Sequence, residues 1–128
     1  MTSASSVENW SRSVVSTPAV QVSPGSIDEV RDILLDKENY PSPVRACGNY
    51  HSTTRCAEAN GGTLVDMKGM GRVLEITDTY VRAEAGAIYL DVLRELVARD
   101  LNFFVDLQVG NVTLGSMACC ESKDGSYP

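Results

Sequence analysis

Two short stretches of this sequence gather the residue types that hold phosphate. In Val44-Arg45-Ala46-Cys47-Gly48-Asn49-Tyr50-His51-Ser52-Thr53-Thr54 an apolar run ends in a glycine, followed by an amide, a histidine and three consecutive hydroxyls. A glycine at Gly48 permits the left-handed backbone of a tight turn. Successive N–H groups in such a turn form a concave nest for an anion, to which hydroxyls add donors. The second stretch is Gly110-Asn111-Val112-Thr113-Leu114-Gly115-Ser116-Met117-Ala118. Thr113 is placed to cap a short helix whose first N–H groups, with Gly115 and Ser116, would face an anion. Taken alone, each stretch has a simpler reading, the first as an ordinary strand-to-loop turn and the second as an ordinary capped helix start. Neither fits G-x-x-x-x-G-K-[ST] or G-x-G-x-x-G, which disfavours a P-loop or a Rossmann nucleotide site.

The other chemically capable side chains are few. The chain has one histidine, His51, and four cysteines, Cys47, Cys56, Cys119 and Cys120. Zinc sites pair Cys or His at short spacings; here two cysteines are adjacent and the other two are nine residues apart. No metal site is expected, and the cysteines read as small buried thiols. Asp91, Glu95 and Asp100 fall on or near a helix as solvated charges, and Asp106 reads as a turn residue. No catalytic acid or base is assigned.

The elements that must position these loops follow from periodicity and punctuation. Residues 1–9 are Ser-rich and read as a flexible start. A strand is expected at Ala19–Val22, closed by Ser23-Pro24-Gly25. Ser26 and Glu29 have capping-box spacing, and Ile27, Val30, Ile33 and Leu34 give the following helix an apolar face through about Asp36. Pro41 and Pro43 stop it. Strands are expected at Val44–Cys47 and Thr63–Met67, then a hairpin of Val73–Ile76 and Tyr80–Glu84 around Thr77-Asp78-Thr79. A second helix buries Ile88, Leu90, Val92, Leu93, Leu96 and Val97, and Phe103–Val105 is a further apolar run. The class is mixed α and β. The ending Asp124-Gly125-Ser126-Tyr127-Pro128 reads as cut rather than finished.

Composition bounds the rest. With 128 residues, the chain fits one domain or part of one, and 43% apolar residues is ordinary globular composition. The aromatic share is only 6%, so the core must rest on aliphatic side chains. A net charge of −6 with no basic stripe argues against a nucleic-acid surface. No secretory leader and no apolar run near the roughly 18 residues of a membrane span is visible. A cytoplasmic protein without membrane contact is the expectation.

Taken together and in order, these segments resemble the vanillyl-alcohol oxidase family of flavoproteins, the para-cresol methylhydroxylase (PCMH) fold family. Arg45, Gly48, His51 and Ser52 resemble its R-x-x-G-x-x-H-S loop. Gly62-Thr63-Leu64-Val65-Asp66-Met67 is similar to its G-G-x-x-[IV]-D-[LM] strand, and Met70–Ile76 to its L-N-R-V-L-E-V segment. Val81–Ala87 resembles V-x-V-x-A-G-A, and Val112–Ser116 the second diphosphate loop, x-T-[VIL]-G-G. The likeness runs from about Asn9 to Asp124. Tyr50 stands where many relatives carry Gly or another small residue, and Ser116 replaces a common Gly. The Asn9-Trp10 pair is similar to aldonolactone and alditol oxidases, although a lone Trp also serves as a packing anchor.

The resemblance implies an α+β fold, a PCMH-type FAD-binding subdomain with small mixed β-sheets flanked by helices. Residues 10–128 would be its N-terminal portion, with the remainder of the FAD domain and a cap domain outside this sequence. FAD would meet Arg45, Gly48, Asn49, Tyr50, His51 and Ser52 in one loop and Asn111, Thr113, Gly115, Ser116 and Cys119 around the other. His51 matches the position that many relatives bond to the flavin. The implied activity is hydride transfer to FAD from a hydroxyl-bearing small molecule such as a sugar lactone or alditol, in a pocket formed with the missing domains. An FAD-binding subunit or a noncatalytic scaffold, inactive without a partner chain, is the alternative.

Overall fold

The computed structural model describes residues 6–104 and 106–120. The chain divides after Gly69 into two compact units.

The first unit is built on a three-stranded parallel sheet of β3 (Val20–Val22), β5 (Thr63–Asp66) and β4 (Val44–Cys47), in the order β3-β5-β4. Val20, Gln21 and Val22 pair with Thr63, Leu64 and Val65, while Val44 to Cys47 pair with Thr63 to Asp66. Helix α1 (Ile27–Leu35) connects the two outer strands, as a parallel crossover requires. The central strand is covered on both faces, with Thr63, Leu64 and Val65 all buried, which is why it reads as a continuous apolar run instead of an alternating one. Gly61 and Gly62 admit the chain to this strand. Gly61 has φ +68°, and a Cβ on Gly62 would run into the Pro43 carbonyl. Pro43 itself follows a cis peptide bond.

Helix α1 starts and stops where expected. Ser26 Oγ accepts from the Glu29 N–H at 3.2 Å, but Glu29 reaches past the cap to the Gly25 N–H at 2.9 Å, a capping box displaced by one residue. Its expected apolar face is only partly used. Ile33 is buried, whereas Ile27 and Leu34 are 77% and 55% exposed. A strand pair not anticipated, β1 (Val7–Glu8) with β2 (Val15–Ser16), is antiparallel. Val7 and Glu8, expected within a flexible start, thus lie in a strand; residues 1–5 lie outside the described residues.

In the second unit β6 (Val73–Ile76) and β7 (Val81–Ala83) form the expected hairpin, with an irregularity between Val73 and Glu75. Helix α2 (Tyr89–Val97) buries Tyr89, Val92 and Leu96. Spacings of three and four put these on one face, and Leu90 and Val97, expected in that stripe, are turned outward. Tyr89 stacks on Phe103 with ring centroids 4.9 Å apart and donates to Asp106 Oδ1 at 2.9 Å. The Phe103 run forms no strand among the described residues; Phe104 is 86% exposed, and Val105 lies outside them. Helix α3 (Leu114–Cys119) follows Thr113, and the chain end at 121–128, read as cut, lies outside the described residues.

Candidate functional site

In the first unit, strand β4 delivers the chain into the Gly48–Thr54 loop. The left-handed residue there is Tyr50, with φ +56°, and not Gly48. Most side chains resist this conformation, so something must hold it. The Tyr50 hydroxyl and Cys47 Sγ share a 3.1 Å hydrogen bond, and the ring packs on the buried cluster of Cys47, Ala59 and Leu64. Burial raises the Tyr50 hydroxyl's pKa and that of the Cys47 thiol. Tyr50 thus keeps the backbone path of a small residue while adding its ring to the core.

The loop is held from outside by Asn9, which is 7% exposed. Its Nδ2 donates to the Ser52 carbonyl at 3.1 Å and its Oδ1 accepts from the Val14 N–H at 3.0 Å. The Trp10 N–H donates to the Tyr50 carbonyl at 3.1 Å. Both neighbours of His51 are therefore tied by their carbonyls to Asn9-Trp10, and His51 itself is exposed. The Trp10 side chain is no packing anchor, being 67% exposed. Within the loop, Ser52 Oγ and Thr54 Oγ1 share a 2.8 Å hydrogen bond. A small pocket beside it is lined by Asn9, Tyr50, Ser52, Thr54 and Cys56 among others. Hydrogen bonds from Ser52 and then Thr54 hold the Cys56 thiol's pKa below its ordinary value.

In the second unit the Gly110–Ser116 stretch is zipped onto Ala85–Leu90. Gly115 N–H donates to the Ala85 carbonyl at 2.7 Å and Leu114 N–H to the Ala87 carbonyl at 2.9 Å. Tyr89 N–H donates to the Val112 carbonyl at 2.8 Å and Leu90 N–H to the Gly110 carbonyl at 3.0 Å. Thr113, buried, caps α3 by accepting from the Ser116 N–H at 3.3 Å, and the Met117 N–H donates to the Thr113 carbonyl at 3.1 Å. The capping expectation holds, but the N–H groups of Leu114 to Met117 are all given to protein acceptors rather than turned toward an anion. Asn111 and Cys119 are exposed and Ser116 is half-buried. Of the four thiols, expected as buried, only Cys47 is so; Cys56, Cys119 and Cys120 are exposed.

The structure thus groups Arg45 through Ser52 in the first unit and Asn111 through Cys119 in the second. Asn9, Cys56 and Glu84 stood outside the sequence-based candidates for these sites. The residues present suit a diphosphate. From Asn39 to Ala57 the sequence holds two arginines and no carboxylate, and Gly110 to Cys120 carries no charge, in a chain of net charge −6. Exposed hydroxyls and amides are the neutral donors that phosphate oxygens accept. Among the described residues no group of three His, Cys, Asp or Glu side chains is placed to hold a metal ion, and no helix is long and apolar enough to cross a membrane.

Fold and loops together define an FAD-binding domain of the PCMH type. The sequence model described as FAD binding domain matches residues 18–120, so the chain belongs to that family, and FAD is the cofactor of its fold. The chain is 30% identical over 113 residues to L-gulonolactone oxidase of Bos taurus, covering 86% of this chain and 25% of that protein. It is 35% identical over 81 residues to L-gulono-1,4-lactone dehydrogenase of Mycobacterium tuberculosis, covering 62% and 19%. The solved structure of cholesterol oxidase from B. sterolicum superposes with a TM-score of 0.66 at 18% identity, covering 86% of this chain and 22% of that one; that likeness concerns the fold. The chain spans about a quarter of the length of the bovine relative.

Proposed function

We propose that this chain is the FAD-holding portion of an oxidoreductase that takes a hydride from a sugar lactone or a similar hydroxyl-bearing small molecule. Bound FAD supplies the hydride-accepting chemistry, and the protein positions and tunes it. The observation that carries the reading is the Gly48–Thr54 loop. It is pinned at both carbonyls flanking His51, offers hydroxyl and amide donors, and contains no carboxylate. Arg45, Gly48, Asn49, Tyr50, His51 and Ser52 contact FAD in this reading, with Asn111, Thr113, Gly115, Ser116 and Cys119 as the second set. Because the Leu114 to Met117 N–H groups are engaged, that second set works through side chains and through close backbone approach. His51, exposed between two anchored neighbours, is the attachment point if the flavin is covalently held.

Residues 10–128 are, in this reading, the N-terminal portion of the FAD-binding domain. The substrate pocket is completed by polypeptide beyond it, in keeping with the quarter-length match to the lactone oxidase. The similarity to L-gulonolactone oxidase and L-gulono-1,4-lactone dehydrogenase supports trying a lactone first. The test is anaerobic mixing of the flavin-loaded protein, including the polypeptide that completes the pocket, with L-gulono-1,4-lactone, an alditol and a sterol. Bleaching of the flavin band by lactone or alditol supports the reading. Bleaching by the sterol alone, or by none of the three, refutes it.

A further inference from the structure

Among the described residues Glu84 is the one buried charged side chain, its side chain 7% exposed. Removing a carboxylate from water is costly unless it is paired and hydrogen-bonded, and Glu84 is both. Its Oε2 accepts from the Arg72 backbone N–H at 2.8 Å, and its Oε1 from Arg72 Nε and Nη2 at 3.0 and 2.6 Å. The Glu84 N–H in turn donates to the Arg72 carbonyl at 2.9 Å. One residue thus holds the other by main chain and side chain at once. Nothing comparable exists in the other ion pair of the same hairpin, Arg82 with Glu75 at 3.2 Å, where both side chains are well exposed.

What this pair fixes is the turn next to it. The Glu84 carbonyl accepts from Ala87 N–H at 3.1 Å, and Gly86 N–H donates to the Met70 carbonyl at 2.8 Å. The Ala85 and Ala87 carbonyls, held by that turn, receive the Gly115 and Leu114 N–H groups. Contact there is so close that a Cβ on Gly115 would sit 2.9 Å from the Ala85 oxygen. A shift at Ala85 is therefore transmitted to the Gly110–Ser116 loop with little slack, because close-packed backbone yields poorly.

We propose that Glu84, locked by Arg72, is a positioning residue that sets the Gly110–Ser116 loop for the FAD diphosphate. The proposal rests on the FAD reading above. The test compares Glu84→Gln, Arg72→Lys and, as control, Arg82→Gln in the same protein, well below each melting temperature. FAD affinity is read by titration and loop order by amide exchange at Leu114 and Gly115. Partners that orient a binding group from behind typically contribute about ten- to hundredfold in affinity, so Glu84→Gln is expected to weaken FAD binding roughly ten- to hundredfold. The same variant should speed exchange at both amides, with a smaller effect for Arg72→Lys and none for Arg82→Gln. A Glu84→Gln protein that melts lower yet keeps its FAD affinity and its Leu114 and Gly115 protection overturns the proposal. Failure of the unaltered protein to bind FAD refutes the FAD reading instead, and the exchange data still decide whether Glu84 positions the loop.

Discussion

Asn9 shows how a single buried amide can organise a loop 43 residues away. It is buried, and its side chain meets the Ser52 carbonyl, the Val14 N–H and the hydroxyls of Ser11 and Ser13. Its partners are exposed or half-buried and can turn to water, so truncation forfeits a net hydrogen-bond contribution of about 0.5–1.5 kcal/mol. Asn9→Ala should lower stability by that amount in urea unfolding and loosen the His51 loop, seen as faster amide exchange near Ser52. A second residue-scale expectation concerns the thiols. Hydrogen bonds from Ser52 and Thr54 lower the Cys56 pKa, whereas burial raises that of Cys47. The thiolate is the reactive species, so iodoacetamide at neutral pH should label Cys56 well before Cys47, as followed by peptide mass spectrometry. Neither role was legible beforehand. Asn9 was noted only as half of a dipeptide, because its partners lie 43 residues away in one case, and local spacing carries no trace of them.

At the scale of elements, the sequence was most informative where a pattern has one physical cause. Val44–Cys47 and Val73–Ile76 were delimited to the residue, since apolar runs bounded by Pro, Gly or turn residues have little choice. The capped starts at Ser26 and Thr113 were also legible. The α2 stripe was misread at Leu90 and Val97 because counting every aliphatic side chain hid the three-and-four spacing of Tyr89, Val92 and Leu96. Phe103 and Phe104 read as a strand, yet Phe103 is half-buried against Tyr89 and Phe104 faces out. The β6–β7 hairpin also gives a pH prediction. Hydrogen bonds from Arg72 lower the Glu84 pKa in the fold below its ordinary 4.5. A depressed carboxylate contributes stability that is present above the ordinary value and is lost as pH falls through the folded one. Acid unfolding below pH 4.5 should therefore be shallower in Glu84→Gln than in the unaltered protein, measured by circular dichroism across that range.

For the molecule as a whole, family and cofactor were legible because several weak motifs occur in a fixed order, although no one of them is specific. What the order could not convey is how the loops are held. The left-handed residue proved to be Tyr50 and not Gly48, and the helix N–H groups expected to face phosphate proved to be engaged by Ala85, Ala87 and Thr113. The Ala85 and Ala87 carbonyls that take the Gly115 and Leu114 N–H groups lie in a segment distant in sequence.

The central claim is that this chain holds FAD at the His51 loop. The most direct measurement is acid precipitation of the purified, flavin-loaded protein, with an absorbance spectrum of pellet and supernatant and an intact mass. The account predicts about one flavin per chain before precipitation. A yellow pellet carrying the mass of one FAD, lost in His51→Ala, is the result expected if the flavin is covalently held; a yellow supernatant keeps FAD and removes the bond. A folded protein that takes up no flavin would contradict the claim.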